Sequence, residues 1–243
     1  MKQVPVLVFF IGSCLALPPR AFPQDHPADS VFLQQAVANL SQAYKKETAE
    51  NLRLYNGTEY LRQGHGVKGF PFFQSADKLM GDVFYDGTLY RDVPMQYDLE
   101  EDNLVISDYS GNVFIRLVKE KVRYFIMDGH RFVLLPAAEG LSQPGFYEEL
   151  YAGKIHAYVK RQKKMALSVN ASDNDAAYLP VAGYFIEKQG IFYSISSERS
   201  ALSVLNDKKE LLKKYIRSNK LNFKKHPEIF IARLSDYYTQ LKN

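Results

Sequence analysis

The chain has 243 residues, of which 46% are hydrophobic and 24% are charged, and its formal net charge is +4. These values are ordinary for a globular protein, so they exclude wholesale disorder, a collagen and a coiled coil. A single Cys excludes a disulfide framework and a multi-cysteine zinc site. Only one long apolar run is present, near the start, so a polytopic membrane protein is also excluded.

Residues 1–24 are predicted to be a signal peptide. Lys2 supplies a positive start, Val4–Leu17 is mostly apolar, and Pro18 and Pro19 end the run. The run is shorter than the roughly 20 residues that a membrane span needs, so the pattern favours export over a retained anchor. We therefore expect the protein in the periplasm, at the outer membrane or outside the cell.

Cys14 lies within this leader. Residues Ile11 to Cys14 resemble the bacterial lipoprotein box, in which the Cys is lipidated and becomes the first mature residue. The apolar Leu15 and Leu17 follow, however, and a lipidated Cys is usually followed by polar residues. Cleavage near residue 23 is the alternative, and in both cases the mature body has no thiol for catalysis.

The stretch 28–48 has the spacing of an amphipathic helix. Its apolar residues recur at steps of three to four, and Asp29 or Ser30 can cap its start. Its polar face is rich in Gln and Ala and is not basic. We therefore expect a helix that docks on the body of the protein, since a membrane-surface helix usually has a basic face.

From residue 55 to residue 197 the sequence predicts an antiparallel β-meander. Short runs rich in Tyr, Phe, Val and Ile alternate with turn residues. Asp86-Gly87 and Asp128-Gly129 each separate two apolar runs. An Asp-Gly pair at such a place is a strong hairpin signal, because a type I′ turn needs positive φ at both central positions.

Weaker turn signals occur at similar intervals, at 110–112, 152–153 and 188–190. Val113, Ile115 and Leu117 alternate with other residues and are predicted to share one face. Turns at such short intervals favour antiparallel neighbours, because a parallel sheet needs crossover helices.

The last part of the chain returns to helical spacing. Residues 200–218 are predicted to be one helix, and a second begins at His226-Pro227, where Pro suits the first turn. The stretch 170–177 is predicted to be a polar loop. The sequence thus predicts an α+β fold in a single domain, residues 25–243, with an N-terminal helix, a long curved antiparallel meander that forms a half-barrel-like sheet, and two C-terminal helices.

Charge is unevenly distributed along the chain. Residues 24–153 carry 12 Lys and Arg against 19 Asp and Glu, whereas residues 204–243 carry 10 against 4. Basic clusters lie at 160–164 and 208–225. They favour a solvated surface, or peripheral contact with an anionic envelope or lipid surface, over nucleic acid, because the protein is predicted to be exported.

Candidate catalytic residues are few. The five His show none of the spacings of a zinc hydrolase and no nucleotide-binding motif is present, so we expect no metal and no cofactor. His65 lies between two Gly, whereas His130 is attributed to the hairpin turn that it follows. Asp82, Asp98 and Asp128 lie in a region where Asp residues mark strand ends. Carboxylates such as these serve a hydrolase only if they converge in one cleft.

Tyrosines are the candidates for ligand binding. Tyr85, Tyr97, Tyr147 and Tyr151 fall within the predicted sheet. A Tyr combines an apolar ring with a polar tip, which suits a half-exposed face that recognises an amphipathic ligand or a partner. The alternative is cross-strand pairing that only stabilises the sheet.

Several segments resemble those of a known group of proteins. The segments are Gly81–Tyr90 with Val93–Asp98, Val122–Val133, Gly145–Tyr151 and Lys208–Tyr238. They resemble an uncharacterised family of exported Bacteroidota proteins, for which no activity is known. The resemblance implies export and a β-meander with terminal helices, and it implies no catalytic residue. A curved sheet covered by helices is also similar, in fold alone, to periplasmic carriers of lipoproteins.

Three functions remain open on the sequence. The first is a non-catalytic cell-envelope protein that binds an apolar or amphipathic ligand, or a protein partner, on a Tyr-bearing face of the sheet. The second is a carboxylate-dependent hydrolase. The third is a structural or assembly component that docks through the basic C-terminal helices. The oligomeric state, the ligand and the partner stay open.

Overall fold

The computed structural model describes residues 35–37, 39–40, 53–61, 67–108, 111–167 and 176–241. The chain divides into two units, Met1–Glu47 and Thr48–Asn243. In the first unit residues 35–37 and 39–40 are helical, and they fall inside the helix predicted over 28–48. The predicted signal peptide, Cys14, His65 and most of the predicted loop 170–177 lie outside the described residues.

The described part of the second unit contains one open sheet of twelve strands. Its order is β1-β6-β5-β4-β3-β7-β8-β9-β10-β11-β12, in which every neighbouring pair is antiparallel, and β2 adds a short parallel pair to β11. With the helices given below, this confirms the predicted α+β fold. The strands are β1 (Thr58–Glu59), β2 (Val67–Lys68), β3 (Leu79–Tyr85), β4 (Thr88–Asp98), β5 (Asn103–Ser107), β6 (Phe114–Arg116), β7 (Val122–Met127), β8 (His130–Leu135), β9 (Gly145–Ala152), β10 (His156–Leu167), β11 (Ala176–Lys188) and β12 (Ile191–Ile195).

Both Asp-Gly turns form where the sequence predicts them. Asp86 and Gly87 connect β3 to β4 with φ values of 48° and 85°, and Asp128 and Gly129 connect β7 to β8 with 49° and 77°. Positive φ at two successive positions is what a tight hairpin requires, and Asp tolerates it better than most residues other than Gly. These two turns therefore fix the register of the four central strands.

The sheet departs from the chain order where β1 pairs with β6, where β2 pairs with β11, and where β7 pairs with β3. Strands β3 to β6 run outward in one direction, and β7 then returns to pair with the free side of β3. The predicted common face at 113–117 is wrong for Val113, which lies before β6 and is exposed, whereas Leu117 is buried. The strand here has only three residues, so alternation cannot extend to Val113.

The sheet is curled, because strands that are far apart in its order meet. Four strands separate β4 from β10. Nevertheless, the Lys160 Nζ atom of β10 lies 2.8 Å from the Oδ1 atom of Asp102 in the β4–β5 turn. The backbone N–H of Lys163 also donates to the carbonyl oxygen of Leu99, at 3.1 Å.

Two large clusters of buried side chains fill the fold. The first is aromatic and lies inside the curl of β3 to β9, where the Tyr97 ring centroid is 5.2, 5.0 and 5.8 Å from those of Phe125, Phe132 and Phe146. The second is largely aliphatic and packs helices against β10 to β12. We call them the aromatic core and the helical core.

Residues 53–54 are helical, and three α-helices follow the sheet in the described residues: α1 (Glu198–Val204), α2 (Lys209–Ser218) and α3 (Pro227–Gln240). The predicted helix 200–218 is therefore wrong in one respect, since it is interrupted at residues 205–208. Asn206 and Asp207 are poor in helix interiors, and the Asp207 carboxylate accepts hydrogen bonds from Lys188 and Tyr238 instead. The helix α3 begins at Pro227 as predicted.

No helix in the described part of the chain is long and apolar enough to cross a bilayer.

Candidate functional site

The three aspartates that the sequence offers as catalytic candidates hold local structure. Asp98 is buried, accepts a hydrogen bond from the Tyr60 hydroxyl at 2.7 Å, and caps the turn to β5 through the N–H groups of Glu100 and Glu101. Asp82 accepts from the N–H of Asp92 in the neighbouring strand, at 3.2 Å. Asp128 occupies its hairpin turn and is exposed. Each of the three aspartates holds a different turn or strand, so the structure does not favour one catalytic cleft that contains all of them.

The candidate tyrosines lie inside the packed structure. Tyr85, Tyr97 and Tyr147 are completely buried, and Tyr151 is half-buried against the helical core. The Tyr97 hydroxyl donates to Asp102 at 2.6 Å, and that of Tyr147 donates to the carbonyl oxygen of Gln143 at 2.6 Å. These side chains stabilise the sheet, as the alternative reading of the sequence expected, and they do not line an open concave face.

One polar network that the sequence does not single out connects three strands to α3. We call it the His130 network, and its members are Gln74, His130, Glu148, Arg161 and Glu228. His130 Nδ1 lies 2.5 Å from Glu148 Oε1. Arg161 bridges Glu148 and Glu228: its Nε atom donates to Glu148, and its Nη2 atom lies 2.9 Å from Glu228 Oε2. The Glu148 side chain is only 5% exposed. Burial alone would lower the pKa of Arg161, but hydrogen bonds to Glu228 and Glu148 outweigh it and raise that pKa.

The geometry of this network is complete without a substrate. If His130 donates its Nδ1 proton to Glu148, Nε2 accepts from the Gln74 amide, whose nitrogen is 3.2 Å away. A His–carboxylate pair can act as an acid or base, but here the second ring nitrogen meets an amide. The network itself contains no Ser, Thr or Cys nucleophile. Its evident role is to fasten α3 to β8, β9 and β10.

A second polar cluster is centred on Asp102 and lies at the edge of the aromatic core. The Asp102 carboxylate accepts from Tyr97, lies 2.8 Å from the ammonium of Lys160, and accepts from Lys119 at 3.1 Å. Burial lowers the pKa of Lys160, against the opposing effect of Asp102. Burial, followed by the nearby Asp102 charge, raises the pKa of Tyr97 well above its ordinary value. A side chain at Gly145 would collide with the Asp102 carboxylate, so the cluster requires Gly there.

The C-terminal helices expose a basic segment, residues 209–225. Its only acid is Glu210, whose carboxylate is 2.8 Å from the Lys213 ammonium. Leu211 is an exposed apolar residue of the same segment. The exposed cations of the segment are Lys209, Lys214, Arg217, Lys220, Lys224 and Lys225.

Two adjoining cavities lie beside α1 and together form what we call the Arg199 groove. Their volumes are about 600 Å³ and about 330 Å³, and Ser197 and Arg199 line both. The larger one lies against β12 and includes Tyr193, Ser194 and Ser203. The smaller one includes residues 221–224. A further cavity of about 370 Å³ lies at the β8–β9 end, with walls of Leu134, Leu135, Pro136 and Pro144 beside Lys119.

Sequence reasoning missed both polar networks and the groove. Even the directly bonded members Arg161 and Glu228 are 67 residues apart in the chain, so no local motif marks the His130 network. The pairing of Phe132 with Glu148 brings His130 close to β9, but residues 136–144 separate these strands, so no tight turn in the sequence sets that register. The groove depends on how α1 packs beside β12, which no hairpin signal reveals.

Comparison of the chain with protein-family models, with curated proteins and with solved structures finds no match. The described residues also contain no group of three or more His, Cys, Asp and Glu side chains that could hold a metal ion. Function must therefore be inferred from the surfaces and cavities of the protein itself.

Proposed function

We propose that the protein is an exported, non-catalytic component of the cell envelope that docks on an anionic surface through its basic segment. Export rests on the leader pattern at residues 1–24. Docking rests on the charge of the helical end of the molecule. The chemistry of the candidate acids and of His130 supports a role other than catalysis, because these groups hold turns or fasten α3.

The observation that carries the proposal is the charge of the basic segment. Six of its cations are exposed, whereas its single acid lies beside Lys213. An excess of exposed cations over acids in one short segment creates a positive potential that steers the molecule toward anionic lipids or polymers. Leu211, which is 46% exposed on α2, adds an apolar contact to that surface.

Binding to isolated envelope fractions at increasing salt tests the proposal. We expect binding to fall steeply between about 0.05 and 0.5 M salt, since the Debye length shortens severalfold over this range. The double variant Lys214→Glu/Lys220→Glu should reduce binding severalfold. The matched control Lys154→Glu/Lys164→Glu makes the same change of charge at two exposed lysines outside the segment and should bind normally.

Two outcomes would contradict docking through the basic segment. One is envelope binding that does not change with salt. The other is an equal loss in the two double variants, because that would show a dependence on net charge alone.

A second candidate function is the binding of an amphipathic ligand, and the cavity beside Leu134 and Leu135 favours it. Its apolar walls suit a short hydrocarbon chain, and two charged residues of opposite sign, Lys119 and Glu120, also line it. Displacement of a fluorescent fatty acid by octanoate tests this function. Leu135→Asp should abolish binding there, and binding that this change leaves intact counts against the cavity.

The carboxylate-dependent hydrolase is the least supported of the three functions. Asp82, Asp98 and Asp128 each hold a different turn or strand irregularity.

A further inference from the structure

We propose that the Arg199 groove binds an acidic oligosaccharide, with Arg199 holding a uronate carboxylate. The smaller cavity of the groove shares residues 221–224 with the basic segment, whereas Arg199, Tyr193 and the whole larger cavity lie outside that segment. Envelope docking and saccharide binding can therefore fail independently of each other.

The first support is the charge of the groove. Arg199 is exposed and lines both cavities, and among the residues that the structure describes no carboxylate lies within ion-pair distance of it. Lys224 adds a second cation to the smaller cavity, where Glu198 is the one acid. The groove therefore carries a net positive charge. A guanidinium presents a planar pair of donors that matches a carboxylate, so an anionic ligand is favoured.

The second support is the presence of serine hydroxyls in the larger cavity. Of its four serines, Ser197 and Ser200 bond to each other and to the backbone where α1 begins, so the hydroxyls that a ligand can use are those of Ser194 and Ser203. A hydroxyl both donates and accepts hydrogen bonds, as the hydroxyls of a sugar ring do, whereas a simple inorganic anion offers acceptors alone.

The third support is an aromatic surface within the same cavity. Tyr193 is 37% exposed and lies next to Ser194 in the groove lining. An exposed Tyr offers an apolar ring face together with a hydroxyl tip, and a sugar ring likewise has an apolar C–H face with polar edges. Charge, hydroxyls and an aromatic face together select an acidic saccharide over a bare anion or a neutral sugar.

The size of the groove agrees with a short oligosaccharide. Its two cavities, of about 600 and 330 Å³, are open to solvent, so a bound chain would lie along the surface without being enclosed. Because Arg199 lies where the two meet, a bound chain would place its carboxylate at the centre and neighbouring rings on either side.

Isothermal titration calorimetry of the purified full chain tests the proposal. The probes are three uronate trisaccharides, built from galacturonate, mannuronate and glucuronate, together with neutral galactotriose and with citrate. We expect at least one uronate trisaccharide to bind with a Kd below about 1 mM and at least tenfold more tightly than galactotriose or citrate.

Two substitutions locate the binding. Arg199→Gln should weaken it at least tenfold, and Tyr193→Ala should weaken it severalfold. The matched control Arg233→Gln removes an exposed arginine on α3 outside the groove and should bind like the parent chain. Circular dichroism confirms that each variant is folded, and envelope docking measured in parallel should be the same in Arg199→Gln as in the parent.

Four results would overturn the assignment. They are no binding of any of the uronate trisaccharides, equal binding of galactotriose, equal binding of citrate, and unchanged affinity in folded Arg199→Gln. Equal citrate binding would show a site for small anions alone.

Discussion

The aromatic core and the helical core solve the same packing problem with different side chains. Inside the curl of the sheet, rings meet edge to face, as Tyr97 does with Phe146, or stack, as Phe125 does with Phe132 at 4.8 Å. At the other end, Leu212, Ile231 and other aliphatic side chains of the helices pack on β10 to β12. The aromatic core is filled by rings and belongs to the part of the chain in which acids outnumber bases. Beside the helical core the surface has a groove and exposed cations.

This difference decides where the protein has open surface. A curl filled with Phe and Tyr leaves no room for a ligand on the tyrosines that lie there. Short helices laid beside a sheet edge leave depressions between them, and Arg199 and Lys224 border two of these. The helical half therefore has open depressions beside its helices, whereas the aromatic half has an open cavity only at its margin, beside Leu134 and Leu135, among the described residues.

The largest expected effect lies in the aromatic core. Phe132→Ala removes a buried ring that lies 5.0 Å from Tyr97 and 4.8 Å from Phe125. The cavity left behind should lower the free energy of unfolding by about 4 kcal/mol, measured by urea denaturation. The matched control Phe84→Ala removes a half-buried ring that stacks only on Tyr124, and its loss should be much smaller. Equal losses would mean that the core is not the stabilising centre.

The next effect tests the Asp102 cluster. Asp102→Asn leaves the ammonium of Lys160, whose side chain is 2% exposed, without its counter-charge. We expect a loss of about 3 kcal/mol in the free energy of unfolding, and part of it should return in Asp102→Asn/Lys160→Met. The control Asp86→Asn breaks an exposed pair with Lys121 and should cost less than about 1 kcal/mol. A stable single variant would show that Lys160 is not held by Asp102.

A smaller effect concerns the link between the sheet and α3. Arg161→Met removes the bridge between Glu148 and Glu228 and leaves a buried carboxylate with His130 alone, so about 2 kcal/mol should be lost. The amides of α3 should exchange with deuterium faster. Glu228→Gln alters only the half-exposed end and serves as the control. Unchanged protection of α3 in Arg161→Met would refute the fastening role.

The smallest effect is a pH dependence at Asp207. Burial alone would raise the pKa of Asp207, but hydrogen bonds from Lys188 and Tyr238 outweigh it and lower the pKa below its ordinary value of 3.8. Because this pKa is lower in the folded state, the carboxylate stabilises the fold at neutral pH, and that contribution is lost as the pH falls through the folded-state pKa.

Thermal unfolding of Asp207→Asn, measured from about pH 6 to pH 2, checks this effect. The variant should show a shallower loss of Tm on acidification than the parent chain. The control Asp128→Asn changes an exposed turn residue and should follow the parent. Parallel curves for Asp207→Asn and the parent would remove Asp207 from the acid response.

The hairpins were predictable because their signal is local. Asp86-Gly87 and Asp128-Gly129 carry their own backbone preference, so the strands on both sides followed from the sequence. The return of β7 to β3 depends on contacts between distant segments, and no turn residue encodes it. The split of the helix at Asp207 was missed for a similar reason, since Lys188 and Tyr238 hold that residue from far along the chain.

The candidate site was harder to predict than the fold. Tyr97 lies between Gln96 and Asp98 in β4, and all three are buried. Alternation of polar and apolar residues therefore does not reveal which face of this strand is exposed to solvent. A strand covered on both sides hides that information. The groove residues Tyr193 and Arg199 belong to ordinary surface sequence, and only the fold brings them to one depression.

The outer edge of strand β11 is only partly paired, which bears on whether a strand of another copy of the chain can add to the sheet there. In the described residues its outer side pairs only at Ala176-Ala177, with β2, and at Tyr184–Lys188, with β12. Lys163 turns its N–H away from β11 toward Leu99, so the opposite residue, Pro180, also directs its nitrogen outward. The proline nitrogen bears no hydrogen, so it cannot donate a hydrogen bond to another strand that pairs with this edge of β11. Pro180 thereby makes this part of the edge a weaker template for pairing with a strand of another copy.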